Sequence, residues 1–240
     1  MLKSAIKRTL NSLGWELRKA VPPPPSRGYI QAQETVAAAT ARGLSVCDYV
    51  EQLWGETGRT QSIFNRLANI AGVSFRPTTA VEIGPGTGRY LALTLERYAG
   101  LRYEIYETAA DWADWLAATY PIVRHAADGH SLKQTLSNSI NLIQAHGVFV
   151  YLPFLTTYEY LSEIARVARD HEALVACDFL TESSMTDAIV AKWLADTPRY
   201  QALFPRDYLL DFFKKRHFKL TNSFHAPYDV GLSEYFVFRR

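Results

Sequence analysis

VEIGPGTGRY, Val81 to Tyr90, sets three glycines at alternate positions, Gly84, Gly86 and Gly88, directly behind the apolar residues Ala80, Val81 and Ile83. The spacing predicts a strand that ends in a glycine loop and runs on into a helix. Glycine lets the backbone take φ/ψ values closed to other residues and lets a ligand approach without meeting a Cβ. Such a loop usually holds a nucleotide-like ligand. The dinucleotide fingerprint is G-x-G-x-x-G, and counting from Gly84 its third glycine position is Arg89. The third glycine comes one residue early, which weakens a NAD reading. A phosphate-binding P-loop is excluded, because no Gly-Lys-Ser/Thr follows.

Outward from the loop, the chain alternates. Strand-like runs at 79–84, 102–107, 122–126, 140–146 and 173–179 are separated by helical patterns at 88–98, 109–119, 131–137 and 156–169. Within 109–119, Trp112, Trp115, Leu116 and Thr119 form an i, i+3, i+4, i+7 stripe that predicts a core-facing side. Alternation of this kind implies βαβ units with right-handed crossovers. The fold class is therefore α/β, a doubly wound and mostly parallel sheet. The end of the chain differs: after a helix at 206–216, FKLTNSF (218–224) and EYFVFRR (234–240) predict a hairpin, joined by a loop containing Pro227 and Gly231. Three helical patterns, at about 31–42, 45–54 and 59–71, precede the alternating region.

In a doubly wound sheet the ligand lies beyond the carboxyl ends of the strands. Glu107 closes the second strand, 23 residues beyond Gly84, where a carboxylate can accept from both hydroxyls of a ribose. Asp128, followed by Gly129, comes just after the third strand, where a carboxylate could accept from an adenine amino group. With Glu82 inside the glycine motif, three acids line one edge of the sheet. They would repel a pyrophosphate but suit a cationic adenosine compound.

The successive stretches VEIGPGTGRY, YEIYE, AADGHSL and IQAHGVFVYLPF resemble the ordered motifs of class I S-adenosylmethionine-dependent methyltransferases. The resemblance covers about 79–180 and implies a seven-stranded sheet whose last strand runs antiparallel. Carried over by position, Glu82, Gly84, Gly86 and Gly88 shape the methionine and ribose pocket. Glu107 holds the ribose hydroxyls, Asp128 the adenine, and Gly129 lets backbone approach the ring. The cofactor so implied is S-adenosyl-L-methionine.

Methyl transfer needs an acceptor held against the methyl carbon, and an oxygen or nitrogen acceptor can also need a base. His146, at the end of the fourth strand, is the first candidate for that base; the alternative is a packed residue that touches the cofactor and does no acid–base work. Tyr151 stands where relatives often carry a histidine, as a catalytic group or a pocket wall. Asp178, placed after the fifth strand, and His130 are reserves. No cluster has metal-ligand spacing, so no metal is expected. The acceptor would be framed by the N-terminal helices and by the segment around 184–205. RGYI (27–30) could close over the cofactor, with Arg27 or Tyr29 near its carboxylate, although a surface linker is the simpler reading. The aromatic residues of 185–213, namely Trp193, Tyr200, Phe204, Tyr208, Phe212 and Phe213, are candidates to stack on a ring or a sugar, or core.

The 240 residues carry a formal net charge of +2, with 48% hydrophobic and 21% charged residues. That is globular composition with no general reason to bind nucleic acid. Residues 1–21 hold Lys3, Lys7, Arg8, Arg18 and Lys19 against Glu16. Leu2, Ile6, Leu10, Leu13 and Leu17 mark one face of a basic amphipathic helix at 2–19, which either docks on protein or lies on an anionic membrane surface. Pro22–Pro25 must be an extended spacer. The organisation expected is 1–25 basic helix and linker, 26–78 helical cap, and 79–240 cofactor-binding domain. Cys47 and Cys177 are far apart in sequence, and the cytoplasm, including the inner face of the membrane, is the expected location. The first segment loosely resembles leader helices of bacterial surface-polysaccharide methyltransferases, which makes a sugar hydroxyl or phosphate on a glycan or lipid-linked intermediate the leading acceptor. The alternatives are a small-metabolite O- or N-methyltransferase, a NAD-dependent oxidoreductase, and a non-catalytic cofactor-binding protein.

Overall fold

The computed structural model describes residues 29–195 and 201–240; the predicted helix at 2–19, the proline spacer, Arg27 and Tyr200 lie outside the described residues. Three helices come first, α1 (Ala32–Ala41), α2 (Val46–Leu53) and α3 (Arg59–Ala71). Local chemistry starts them. The Ser45 hydroxyl accepts from Asp48 N–H at 3.0 Å to cap α2. The buried Glu51 carboxylate accepts from the N–H groups of Gly58 and Thr60, at 2.6 and 2.7 Å, and so caps α3.

The alternating region follows as β1 (Thr79–Ile83), α4 (Arg89–Arg97), β2 (Arg102–Tyr106), α5 (Ala110–Thr119), β3 (Ile122–His125), β4 (Leu142–Ala145), α6 (Phe154–Val167) and β5 (Leu174–Phe179). After α7 (Asp187–Ala195) and α8 (Arg206–Lys214) come the long strands β6 (Lys219–Tyr228) and β7 (Gly231–Arg239). All seven strands form one sheet in the order β3-β2-β1-β4-β5-β7-β6. β1 to β5 pair in parallel, and β7 runs antiparallel to both of its neighbours. The expected fold class and its antiparallel end are both present.

The inner strands explain why the sheet must be covered on both faces. Every residue of β4 and β5 is buried, as a parallel strand enclosed by helices requires. Alternate side chains feed two layers. Ala80, Tyr103, Ile105 and Val237 pack with Ile63, Leu67, Leu91 and Leu116 of α3, α4 and α5. Val81, Ile143, Val175 and Phe236 pack with Leu161, Ile164 and Phe213 of α6 and α8. The order of strands reverses between β1 and β4, and this is where a doubly wound sheet opens a crevice.

Three sequence expectations need correction. The stretch 131–137 is not a helix but a chain of turns. Its backbone is satisfied from α6 instead: Glu163 accepts from Leu132 N–H at 2.9 Å, and Arg166 donates to the carbonyls of Leu132 and Thr135, both at 2.9 Å. The hairpin loop is shorter than expected, because Pro227 lies within β6 and Gly231 begins β7. β6 is an edge strand, where a proline without an N–H is tolerated. In α5 the buried stripe is Trp112, Ala113 and Leu116, with Thr119 left exposed.

Candidate functional site

A cavity of about 510 Å³ opens above the carboxyl ends of β1, β2 and β4, at the strand-order reversal. That size suits a small-molecule site. Its floor is the glycine loop between β1 and α4, and the three glycines do different work. Gly84 and Gly86 line the cavity. Gly86 has φ +53° and open space where a Cβ would stand, so a side chain there would project into the cavity from a strained backbone. Gly88 does not line it. A Cβ on Gly88 would stand 2.5 Å from Leu116 Cδ2, so this glycine lets α4 pack on α5. Its expected place in the cofactor pocket is corrected to a packing role.

Glu107, just past β2, faces the loop. Its two carboxylate oxygens accept from Gly86 N–H at 2.7 Å and Ala109 N–H at 2.8 Å. Burial raises its pKa, with those N–H groups opposing the shift. Both oxygens keep lone pairs for further donors, and the side chain lines the cavity. Glu82 is buried beneath the loop and accepts from Tyr103 OH at 2.6 Å. Burial pushes it up to about 7, against the opposing bonds from Tyr103 and Gln144.

Asp128 is spent locally. Its carboxylate accepts from Ser131 N–H (2.8 Å), Ser131 OH (2.6 Å), His130 N–H (3.1 Å) and Lys133 Nζ (3.0 Å). Against the effect of partial burial, the Ser131 and Lys133 bonds hold it well below the usual carboxylate range. Gly129, next to it, is the residue of this turn that lines the cavity.

His146 follows β4 and lines the cavity, with both ring nitrogens shielded and without a hydrogen-bond partner. Its ring stacks on Tyr90 at 3.6 Å between centroids and lies 5.8 Å from that of Tyr235. Burial, then the charges of Arg59 and Arg89, lower its pKa to about 3. The imidazole is therefore neutral at physiological pH, with one nitrogen able to donate and one to accept. Tyr151, nearly half exposed, lines the same cavity. Asp178 does not. It lies inside β5 rather than after it, fully buried, and accepts from Gly147 N–H at 2.7 Å. That bond fixes the turn carrying His146, so Asp178 is corrected from a catalytic to a positioning group. His130 is exposed beside Asp128 and Glu159, away from the cavity wall.

The N-terminal segment closes one side. Tyr29 OH donates to Asp111, Ala32 N–H donates to the same carboxylate at 2.7 Å, and Trp112 Nε1 donates to Ile30 O at 2.8 Å. Tyr29 and Ile30 thereby become part of the wall. Trp193, Phe204, Phe212 and Phe213 are buried core and none lines the cavity, and Tyr208 is exposed elsewhere. Among the residues that sequence reading missed are Trp54, Arg59, Tyr90 and Tyr235, which arrive from the end of α2 and from α3, α4 and β7. Arg89 was read only as a break in the glycine fingerprint, yet it too lines the cavity. Among the described residues, no group of three or more His, Cys, Asp or Glu is placed to hold a metal. Among the same residues, no helix is long and apolar enough to cross a membrane.

No protein-family model matches the sequence, and no curated protein matches it either. Solved structures share its fold at low identity. The magnesium protoporphyrin IX methyltransferase of Synechocystis PCC 6803, solved with S-adenosylhomocysteine bound, is 12% identical with TM-score 0.57, over 99% of both chains. A geranyl diphosphate methyltransferase in complex with GPP and sinefungin is 10% identical with TM-score 0.59, over 75% of this chain and 78% of that one. The cyclase SpnF is 12% identical with TM-score 0.53, over 75% and 81%. The chain thus has the methyltransferase-like α/β fold, which also carries a reaction of another kind.

Proposed function

We propose that the protein is an S-adenosylmethionine-dependent methyltransferase acting on an oxygen of an acceptor held in the same cavity. The observation that carries the reading is Glu107. Its carboxylate is presented at the end of β2, oriented by the N–H groups of Gly86 and Ala109, on the wall of a cavity that opens over the glycine loop. This is the geometry needed to accept from a ribose diol. The wall also fits the rest of the cofactor. Gly86 and Gly129 offer backbone without a Cβ, and the carboxyl groups of Glu82 and Glu107 on the wall would favour a sulfonium, which draws them to the ionised form, over a pyrophosphate. Bound there, S-adenosylmethionine supplies an electrophilic methyl group.

The chain's own residues then position the acceptor, which alone can be worth ~7–11 kcal/mol. His146, on the cavity wall and neutral in the ligand-free protein, is the side chain that would take a proton from an acceptor hydroxyl. Tyr151 forms part of the acceptor wall, and Asp178 holds the turn that carries His146 through Gly147. A sugar hydroxyl or phosphate on a glycan or lipid-linked intermediate was expected from residues 2–19, which lie outside the described residues. Equilibrium binding tests the cofactor. S-adenosylhomocysteine is expected to bind the wild type and to lose its affinity in Glu107→Ala; saturable NADH binding, with none for S-adenosylhomocysteine, would refute the proposal.

A further inference from the structure

Two arginines reach the cavity from different elements. Arg59 begins α3, and its side chain is only 12% exposed. Its Nε donates at 2.7 Å to the carbonyl of Pro227 on β6, with the Glu56 carboxylate 3.7 Å away. Arg89 begins α4, and its guanidinium lies 4.8 Å over the Trp54 ring. Arg89 Nη1 is shielded from water and has no hydrogen-bond partner. A guanidinium nitrogen shut away without an acceptor is costly, and native proteins rarely leave one so unless a ligand completes it. Both nitrogens of His146, on the same cavity, share this condition.

We propose that Arg59 and Arg89 form an anion subsite at the acceptor end of the cavity, so that the acceptor carries a carboxylate or phosphate beside the atom that is methylated. The inference rests on the methyltransferase reading and deepens it. Arg59 is tied to β6 and lines the cavity together with Tyr228 and Tyr235, whereas Glu107 and Gly129 belong to the β2 and β3 side, across the strand-order reversal. The cofactor's ribose acid and the Arg59 guanidinium therefore enter the site from opposite sides of that reversal. Arginine suits an oxyanion because its planar fork can bond two oxygens at once. Trp54, Tyr228 and Tyr151 add apolar wall for a flat or cyclic body. Burial and the two guanidinium charges together hold the His146 imidazole at low basicity. An anion seated between the arginines would offset the part of that shift due to their charges, leaving the larger part that burial imposes.

Binding of simple probes tests this. In the presence of saturating S-adenosylhomocysteine, 4-hydroxybenzoate and phenyl phosphate should bind the wild type at least about tenfold more tightly than phenol, the scale of one charge-assisted hydrogen bond. Arg59→Gln and Arg89→Gln should each abolish that preference, Arg59→Lys should retain part of it, and Arg59→Gln should leave S-adenosylhomocysteine affinity within about threefold. Equal binding of charged and neutral probes by the wild type would overturn the subsite while leaving the methyltransferase reading intact. An equal loss of S-adenosylhomocysteine in Arg59→Gln would assign Arg59 to the cofactor and overturn the subsite as well. A wild type that fails to bind S-adenosylhomocysteine at all would overturn both.

Discussion

Replacing Glu82 by Gln should flatten the pH dependence of stability, because Glu82 is the acid on which burial acts most plainly. Its carboxyl is raised from 4.5 to about 7, first by burial and then against the bonds from Tyr103 and Gln144. The sign follows from proton binding. Between about 4.5 and about 7 the folded protein holds a proton that the unfolded chain has released. Stability therefore falls as pH rises through that window, and the loss is complete above about 7. A shift of this size corresponds to about 3 kcal/mol, at ~1.4 kcal/mol per pH unit. For a domain of this length that is a melting-temperature difference of ~6–12 °C. Glutamine keeps an acceptor for Tyr103 OH and cannot ionise. Thermal unfolding of wild type and Glu82→Gln at pH 5 and pH 8 should show the variant gaining on the wild type by most of that amount at the higher pH, since a part of the loss is already present at pH 5. Glu107 and Asp178 are also raised by burial but remain in both proteins, so their contribution largely cancels in the comparison. Parallel profiles for the two proteins would refute the reasoning. A sulfonium in the cavity should favour the ionised carboxylate, so cofactor binding below pH 7 should release a proton in the wild type and not in Glu82→Gln.

The glycines separate folding from binding: Gly88→Ala should cost ~1–3 kcal/mol through the Leu116 clash, and Gly86→Val should remove S-adenosylhomocysteine binding with a smaller fall in melting temperature. The opposite pattern would contradict the assigned roles. His146 should stay neutral in the ligand-free protein, so its NMR resonances should show no titration step near the ordinary histidine value between pH 5 and 8. A step near pH 6.5 would mean that the ring is solvated rather than packed on Tyr90.

The order of elements was legible because hydrophobic period changes along the chain, from helical in 31–71 to alternating strand and helix after Thr79. What the sequence could not reveal depends on contacts between distant segments. Gly88 looks like a ligand glycine until Leu116, from the next helix, is found against it. Asp178 looks like a strand-end acid because it stands one residue before the end of β5, but its side chain turns to Gly147 N–H instead of the cavity. The turns at 131–137 read as a helix because the signal that prevents one, Glu163 and Arg166, comes from α6. Arg59 and Arg89 reach the cavity from two helix starts that are far apart in sequence. Glu107 was legible because strand ends in a doubly wound sheet converge on one place.

A crystal structure of the protein with S-adenosylhomocysteine tests the central claim most directly. The account predicts the ribose hydroxyls on Glu107, the adenine against Gly129, and the sulfur side of the ligand open toward His146 and Tyr151. A ligand bound away from the Gly84–Gly86 loop, or seated there without contact to Glu107, would contradict it.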